Sequence, residues 1–291
     1  MEDAKYTAIP LSWRESSGEL RVHESADDIS RGLADVIVRA SEAAIASHGA
    51  FTIAISGGSV VKCLGQLAHP DVAARCDWSR WHVFWVDERA VPLTHPDSNY
   101  LLAHTHWLSK VPIPPAHIHT LDDSLPVEAA AEAYEREMKE CVEAGALLMH
   151  PDTAFPRFDF ILLGVGPDGH VASLFPSHPL LSTTSPSSPS STSSPSSPSA
   201  PSPYWCRHLC DSPKPPPCRI TLTLPVLLSA AVVAVVAMGE GKRELLGRLF
   251  EAGGAGFAVG TGLPASMVLP RDGWLIWMVD NEAAAGFLQS S

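Results

Sequence analysis

Residues Gly164 to His170 read Gly-Val-Gly-Pro-Asp-Gly-His and follow the apolar run Phe158 to Leu163. Glycines on either side of Asp168 let a carboxylate and an imidazole project from one loop, and an imidazole with a near-neutral pKa is suited to take a proton from water. Asp168 is placed to orient or stabilise His170. The location adds weight, because open α/β sheets build their sites at the carboxyl ends of strands. A second reading competes, since Gly164 to Gly169 satisfies the GxGxxG pattern of dinucleotide-binding loops. That pattern also expects an acidic residue about 20 positions later to hold a ribose, and no Asp or Glu lies between Gly169 and Cys210. Pro167 further spoils a standard βαβ unit.

Other segments supply candidate phosphate contacts. Ser56-Gly57-Gly58-Ser59 lies between the apolar run Phe51 to Ile55 and a helical pattern. There, backbone N–H groups, a helix dipole and the hydroxyls of Ser56 and Ser59 can hold a phosphate, while Gly57 and Gly58 permit close approach. A structural Gly-Gly turn is the other reading, and the loop lacks the Gly-Lys-Ser/Thr of a Walker motif. Asp87-Glu88-Arg89 ends the next apolar run, and Asp97-Ser98 reads as the cap of a helix starting at Asn99. Farther on, Lys214-Pro215-Pro216-Pro217-Cys218-Arg219 introduces a strand, and Gly239-Glu240-Gly241-Lys242 separates a buried run from a helix. Arg219 offers forked donors and Lys242 a point charge, so both are candidate clamps unless they are ordinary surface cations.

Several chemistries are disfavoured. Cys206, His208, Cys210 and Cys218 lack paired CxxC or HExxH spacing, so no metal is expected. No GxSxG elbow is present. The formal charge of −12 over 291 residues would repel nucleic acid and anionic membranes. The uncharged stretch Ile220 to Met238 is divided by Pro225 and reads as strand pieces rather than a membrane span. The acidic opening Met1-Glu2-Asp3-Ala4-Lys5 lacks signal- and transit-peptide character, so the cytosol is the expected compartment. Six thinly spread cysteines are expected as free thiols.

These loops need elements to position them. Apolar runs at Phe51–Ile55, His82–Val86, Phe158–Leu163, Val232–Ala237 and Trp274–Val279 predict strands buried on both faces. Helical patterns lie between them: Ala26–Ser47, the stretch after Ser59, Asn99–Ser109, Val127–Ala146 and Lys242–Glu251, with Asn281–Gln289 closing the series. The alternation predicts an α/β fold of three layers, a mostly parallel sheet with helices on both faces, in a modified Rossmann-like arrangement. One domain over 1–291 is expected, carrying a disordered Ser/Pro-rich insertion at 182–203 that has nothing to bury.

Taken in order and spacing, SGGSV, WVDERAVP with DSNY, DFILLGVGPDGHVASLFP, SPKPPPCRITLTLP and GEGK resemble the 6-phosphogluconolactonase family. The resemblance runs from about Glu19 to the end, apart from the Ser/Pro tract, and DGHVASLFP is its most specific block. It implies the three-layer α/β fold shared with glucosamine-6-phosphate deaminase and hydrolysis of a small sugar-phosphate lactone. It further implies His170 as general base, Asp168 as its support, and Ser56 to Ser59, Arg89, Arg219 and Lys242 as phosphate or oxyanion contacts. No metal or cofactor is implied, and a monomer is expected. The related aminosugar-phosphate deaminases are the nearest rival. Their run after Asp-Gly-His carries a ring-opening carboxylate that Val171-Ala172-Ser173-Leu174-Phe175 lacks, and their Asp-Glu-Tyr is Asp87-Glu88-Arg89 here. A non-catalytic sugar-phosphate sensor would need the clamp but not His170.

Overall fold

The computed structural model describes residues 4–13, 16–182, 204–251, 256 and 261–288. Apart from Ser182, the Ser/Pro tract expected as an insertion lies outside the described residues. The chain opens with a hairpin, β1 (Tyr6–Trp13) and β2 (Ser16–His23), and the long helix α1 (Ala26–His48). Ser25 caps α1 by accepting the Asp28 N–H, and Asp27 and Asp28 sit in its positive first turn. β3 (Phe51–Ile55) leads through Ser56 to Ser59 into α2 (Val60–Cys63), and α3 (Pro70–Ala73) follows. Next come β4 (Trp81–Trp85), β5 (Asp87–Arg89), α4 (Asn99–His106) and α5 (Val127–Glu143). A short pair, β6 (Leu148–Met149) and β7 (Pro156–Arg157), precedes β8 (Phe160–Gly164). β9 (Cys206–Leu209), β10 (Arg219–Leu222), α6 (Leu224–Leu227) and β11 (Val232–Ala237) come after residue 203. α7 (Arg243–Leu249), α8 (Pro264–Met267), β12 (Trp274–Asp280) and α9 (Asn281–Leu288) complete the order.

The main sheet has seven strands in the order β1-β2-β12-β11-β8-β3-β4, and every pairing except β1 with β2 is parallel. From β3 the chain steps outward to β4, then returns to place β8 on the other side of β3 and continues outward through β11 and β12. The crevice between the carboxyl ends of β3 and β8 is therefore the topological switch point, where open α/β sheets bind ligands. Both Ser56 to Ser59 and Gly164 to His170 start there. A second, antiparallel sheet has the order β5-β10-β9.

Side-chain alternation divides the interior in two. Phe51, Ile53 and Ile55 of β3, with Phe160 and Leu162 of β8, join Ile29, Leu33 and Ile37 of α1 on one face. Ala54, Ile161 and Leu163 point the other way, toward Tyr134 and Met138 of α5, Ile220 and Leu222 of β10, and Phe287 of α9. Two buried faces explain why the central strands are apolar throughout rather than alternating. Each fully buried Leu, Ile or Phe contributes roughly 1.5–3 kcal/mol to holding these layers together.

The outermost strands are both modified. Pro10 in β1, opposite Glu19, has no N–H to offer. Along β4, Val83 bridges to Ile118, and the His119 N–H donates to the Val83 carbonyl at 2.9 Å. The Ile220 to Met238 stretch is divided among β10, α6 and β11, and no described helix is long and apolar enough to cross a membrane.

Candidate active site

The two loops at the switch point are tied to each other. The Ser56 N–H donates to the Leu162 carbonyl at 2.9 Å, and the Gly164 N–H donates to Ser56 Oγ at 2.7 Å. The loop beyond β8 then closes on itself, with the Gly166 N–H donating to the His170 carbonyl and the Gly169 N–H to the Gly166 carbonyl, both at 2.9 Å. This closure brings His170 Nδ1 to 2.5 Å from Asp168 Oδ1. The contact assigns the proton to Nδ1, which donates to the carboxylate and leaves Nε2 as the basic nitrogen. Gly166 is required here by space: a Cβ would lie 2.1 Å from the His170 ring and 2.5 Å from Asp168 Oδ1. Phe175 packs against the imidazole with ring centroids 4.7 Å apart.

Lys214 completes the group. Its Nζ donates to Asp168 Oδ1 at 3.1 Å and lies 3.2 Å from His170 Nδ1. Burial lowers His170 below its ordinary 6.5; the Asp168 hydrogen bond and charge oppose this, and the Lys214 charge adds to it. The imidazole is therefore neutral and able to accept a proton at pH 7. Burial pushes the Asp168 carboxyl up, but hydrogen bonds and charges from His170 and Lys214 outweigh it and hold it at about 2. Lys242 donates from Nζ to the Val165 carbonyl at 2.6 Å, on the same loop. Burial and the Lys214 charge lower its pKa, against the pull of Asp168.

Arg219 is placed differently from a free clamp. It is 2% exposed. Its Nε donates to the Pro216 carbonyl at 2.9 Å, and its Nη2 donates to the Lys214 and Pro215 carbonyls at 2.9 and 3.1 Å. Its guanidinium thus moulds the segment that presents Lys214. A disulfide between Cys210 and Cys218 brackets that same segment, which corrects the expectation of six free thiols and uses two of the donors weighed for zinc. Cys63, Cys76, Cys141 and Cys206 are free.

Arg89 faces Arg219 across the β5–β10 ladder. Its Nη1 donates to the Asp97 carbonyl at 2.9 Å, whereas its Nε is buried with no hydrogen-bond partner among the described residues. Such a donor invites an anion. Neighbouring Glu88 accepts the N–H groups of Asn99 and Tyr100, each at 2.8 Å, and so caps α4 together with Ser98. Asp87 accepts from Ser173 Oγ at 2.8 Å, which ties the residues after His170 to the small sheet. Asn99 Nδ2 donates to the Asp87 carbonyl, and its side chain lies where a Cβ on Gly57 would be, 1.9 Å from Oδ1. Ser59 makes no side-chain cap, and α2 spans only Val60–Cys63, so the dipole expected behind this loop is short. Sequence reasoning passed over Lys214, Ser173 and Asn99 as site residues. The Lys-Pro-Pro-Pro run was the available signal for Lys214, because a proline-stiffened loop holds a side chain in place.

A histidine–aspartate pair on the loop at the switch point of a three-layer sheet, two lysines contacting that loop, and an arginine with a spare donor on the adjoining small sheet give the fold and charge pattern of α/β proteins that act on small anionic molecules. The family model described as glucosamine-6-phosphate isomerases/6-phosphogluconolactonase matches residues 24–277, and the chain belongs to that family. It is 42% identical to a protein of Arabidopsis thaliana named "Probable 6-phosphogluconolactonase 1", over 95% of this chain and 97% of that one. It is also 42% identical to "Probable 6-phosphogluconolactonase 4, chloroplastic" of Oryza sativa subsp. indica, over 92% of this chain and 76% of the relative. Among solved structures, the 6-phosphogluconolactonase of Thermotoga maritima superposes with a TM-score of 0.68 at 25% identity, covering 90% of this chain and 99% of its own.

Proposed function

We propose that this chain is a carboxylic ester hydrolase that converts 6-phospho-D-glucono-1,5-lactone to 6-phosphogluconate, the second step of the oxidative pentose phosphate pathway. The observation that carries the chemistry is the neutral His170 imidazole, fixed by Asp168 so that Nε2 is the base. Nε2 takes a proton from water as the water oxygen attacks the lactone carbonyl carbon. The resulting oxyanion collapses, the bond from that carbon to the ring oxygen breaks, and the imidazolium returns its proton to the departing oxygen. Asp168 stabilises the imidazolium through its carboxylate. The ammonium groups of Lys214 and Lys242 lie beside this loop and are assigned to the developing oxyanion. Ser56 to Ser59 and the spare Arg89 donor are assigned to the 6-phosphate, and Arg219 acts on the site through the Lys214 segment. No step in this sequence calls for a metal or cofactor.

A lactonase assay run beside a glucosamine-6-phosphate deaminase assay on one purified sample tests the reading. Lactone hydrolysis above the spontaneous rate, with no deaminase turnover, is expected. Deaminase turnover, or lactone binding without hydrolysis, would overturn it in favour of the related isomerases or a sensor. The cytosolic and monomeric assignments belong to the same reading. A net charge of −12 works against close association of copies.

The pH profile carries a separate expectation. Protonation of His170 should switch off kcat/KM along an acid limb with its midpoint below 6.5. Lys214→Met removes a charge that disfavours the imidazolium, so the midpoint should move upward. A midpoint unchanged in Lys214→Met would show that this ammonium does not act on the base.

A further inference from the structure

At the amino end of β4, away from the switch point, the fold gathers a second set of reactive side chains. His82, on β4, directs Nδ1 to 3.1 Å from Nε2 of His119. The Cys141 thiol, in the last turns of α5, lies 3.8 Å from the same Nε2. One ligand atom from each of the three residues lies within 4.8 Å of the other two. His119 and Cys141 are buried, and Cys141 is a free thiol. The opposite nitrogen of His119, Nδ1, lies 2.7 Å from Glu137 Oε1, one helical turn before Cys141 on α5.

We propose that His82, His119 and Cys141 form a binding site for a divalent zinc-like ion, separate from the candidate active site. Two imidazoles and a thiolate are the donor set that zinc and cobalt favour over magnesium or calcium. With zinc–nitrogen bonds of about 2.0–2.1 Å and zinc–sulfur bonds of about 2.3 Å, tetrahedral ligands stand roughly 3.3–3.6 Å apart. The 3.1 and 3.8 Å separations at His119 Nε2 bracket that range. Closure on one ion requires the Cys141 thiol, now 3.8 Å from Nε2 and 3.9 Å from Nδ1 of His119, to swing toward Nε2, and the thiol proton leaves to solvent as sulfur binds. Glu137 supplies the carboxylate that commonly accepts the outer N–H of a metal-bound histidine, fixing its Nε2 toward the ion.

Access to His82 is also provided for. A cavity of about 320 Å³ opens over His82 and His117, bounded on one side by Ala144 and Gly145 just after α5. His117 stacks on His82 with centroids 4.0 Å apart, and its Nδ1 is buried without a hydrogen-bond partner among the described residues. An ion here would join β4, the 117–119 segment and α5, three pieces far apart in sequence.

Cobalt titration of the chelator-stripped full-length protein tests the proposal. A single equivalent should bind and give a thiolate-to-cobalt band in the near ultraviolet together with visible d–d bands, all lost on adding zinc. Cys141→Ser should abolish the thiolate band while leaving lactonase activity unchanged. Glu137→Gln should weaken binding by about 10- to 100-fold, and His82→Ala, which removes a ligand outright, by more. A wild-type protein without the thiolate band, or a band that persists in Cys141→Ser, would overturn the site and leave a hydrogen-bonded His82–His119–Glu137 chain beside a bystander thiol.

Discussion

His170→Ala should lower kcat/KM for lactone hydrolysis by roughly 10²- to 10⁴-fold, the range general-base catalysis supplies. The loss should fall on kcat. His170 is assigned to the water, whereas the phosphate is assigned to Ser56–Ser59 and Arg89, so ground-state binding should survive the change. Initial rates corrected for spontaneous hydrolysis, with KM measured alongside, check both halves of the expectation. A variant within a few-fold of wild type would remove His170 from the base role and move attention to the nearby lysines. Because the loop is closed by its own backbone hydrogen bonds, unfolding temperature should change little.

Gly166→Ala should be nearly as damaging, although it adds only one methyl group and removes no functional atom. The added carbon would stand 2.1 Å from His170 Nδ1 and Cε1 and 2.5 Å from Asp168 Oδ1, well inside the 3.0 Å that Cβ contacts essentially never breach. Either the imidazole turns away or the loop opens; both separate Nδ1 from the carboxylate that fixes the tautomer. Activity should drop by at least about 100-fold, the lower end of the general-base contribution, with circular dichroism and thermal unfolding close to wild type. Retention of most activity would mean that the His170–Asp168 contact is not the working geometry.

The central strands were legible in the sequence because burial on both faces leaves unbroken apolar runs. β3 and β11 span the expected residues, and β4, β8 and β12 differ by a residue or two at their ends. The β1–β2 hairpin and the β5-β10-β9 sheet were not legible as a unit. The strands of the small sheet are only three or four residues long, and β5 meets β10 only through pairing across more than a hundred residues of chain, which no local period encodes. The site divides the same way. His170 and Asp168 lie two apart and could be read together, as could the neighbouring glycines. Lys214 could not, since its place beside Asp168 depends on Arg219 gripping the 214–216 carbonyls from inside the fold. Arg219 was read as a ligand contact for the converse reason: sequence reveals a guanidinium but not how many of its donors the protein already uses. Cys141, His82 and His119 likewise share no motif, and only the packing of α5 beside β4 brings them together.

The two modified outer strands have a consequence for life at high concentration. An open sheet normally ends in rows of unsatisfied amides that can recruit another copy. Here Pro10 interrupts one row, and the backbone around Ile118 and His119 occupies part of the other. Strand-to-strand growth has a poor template at either border.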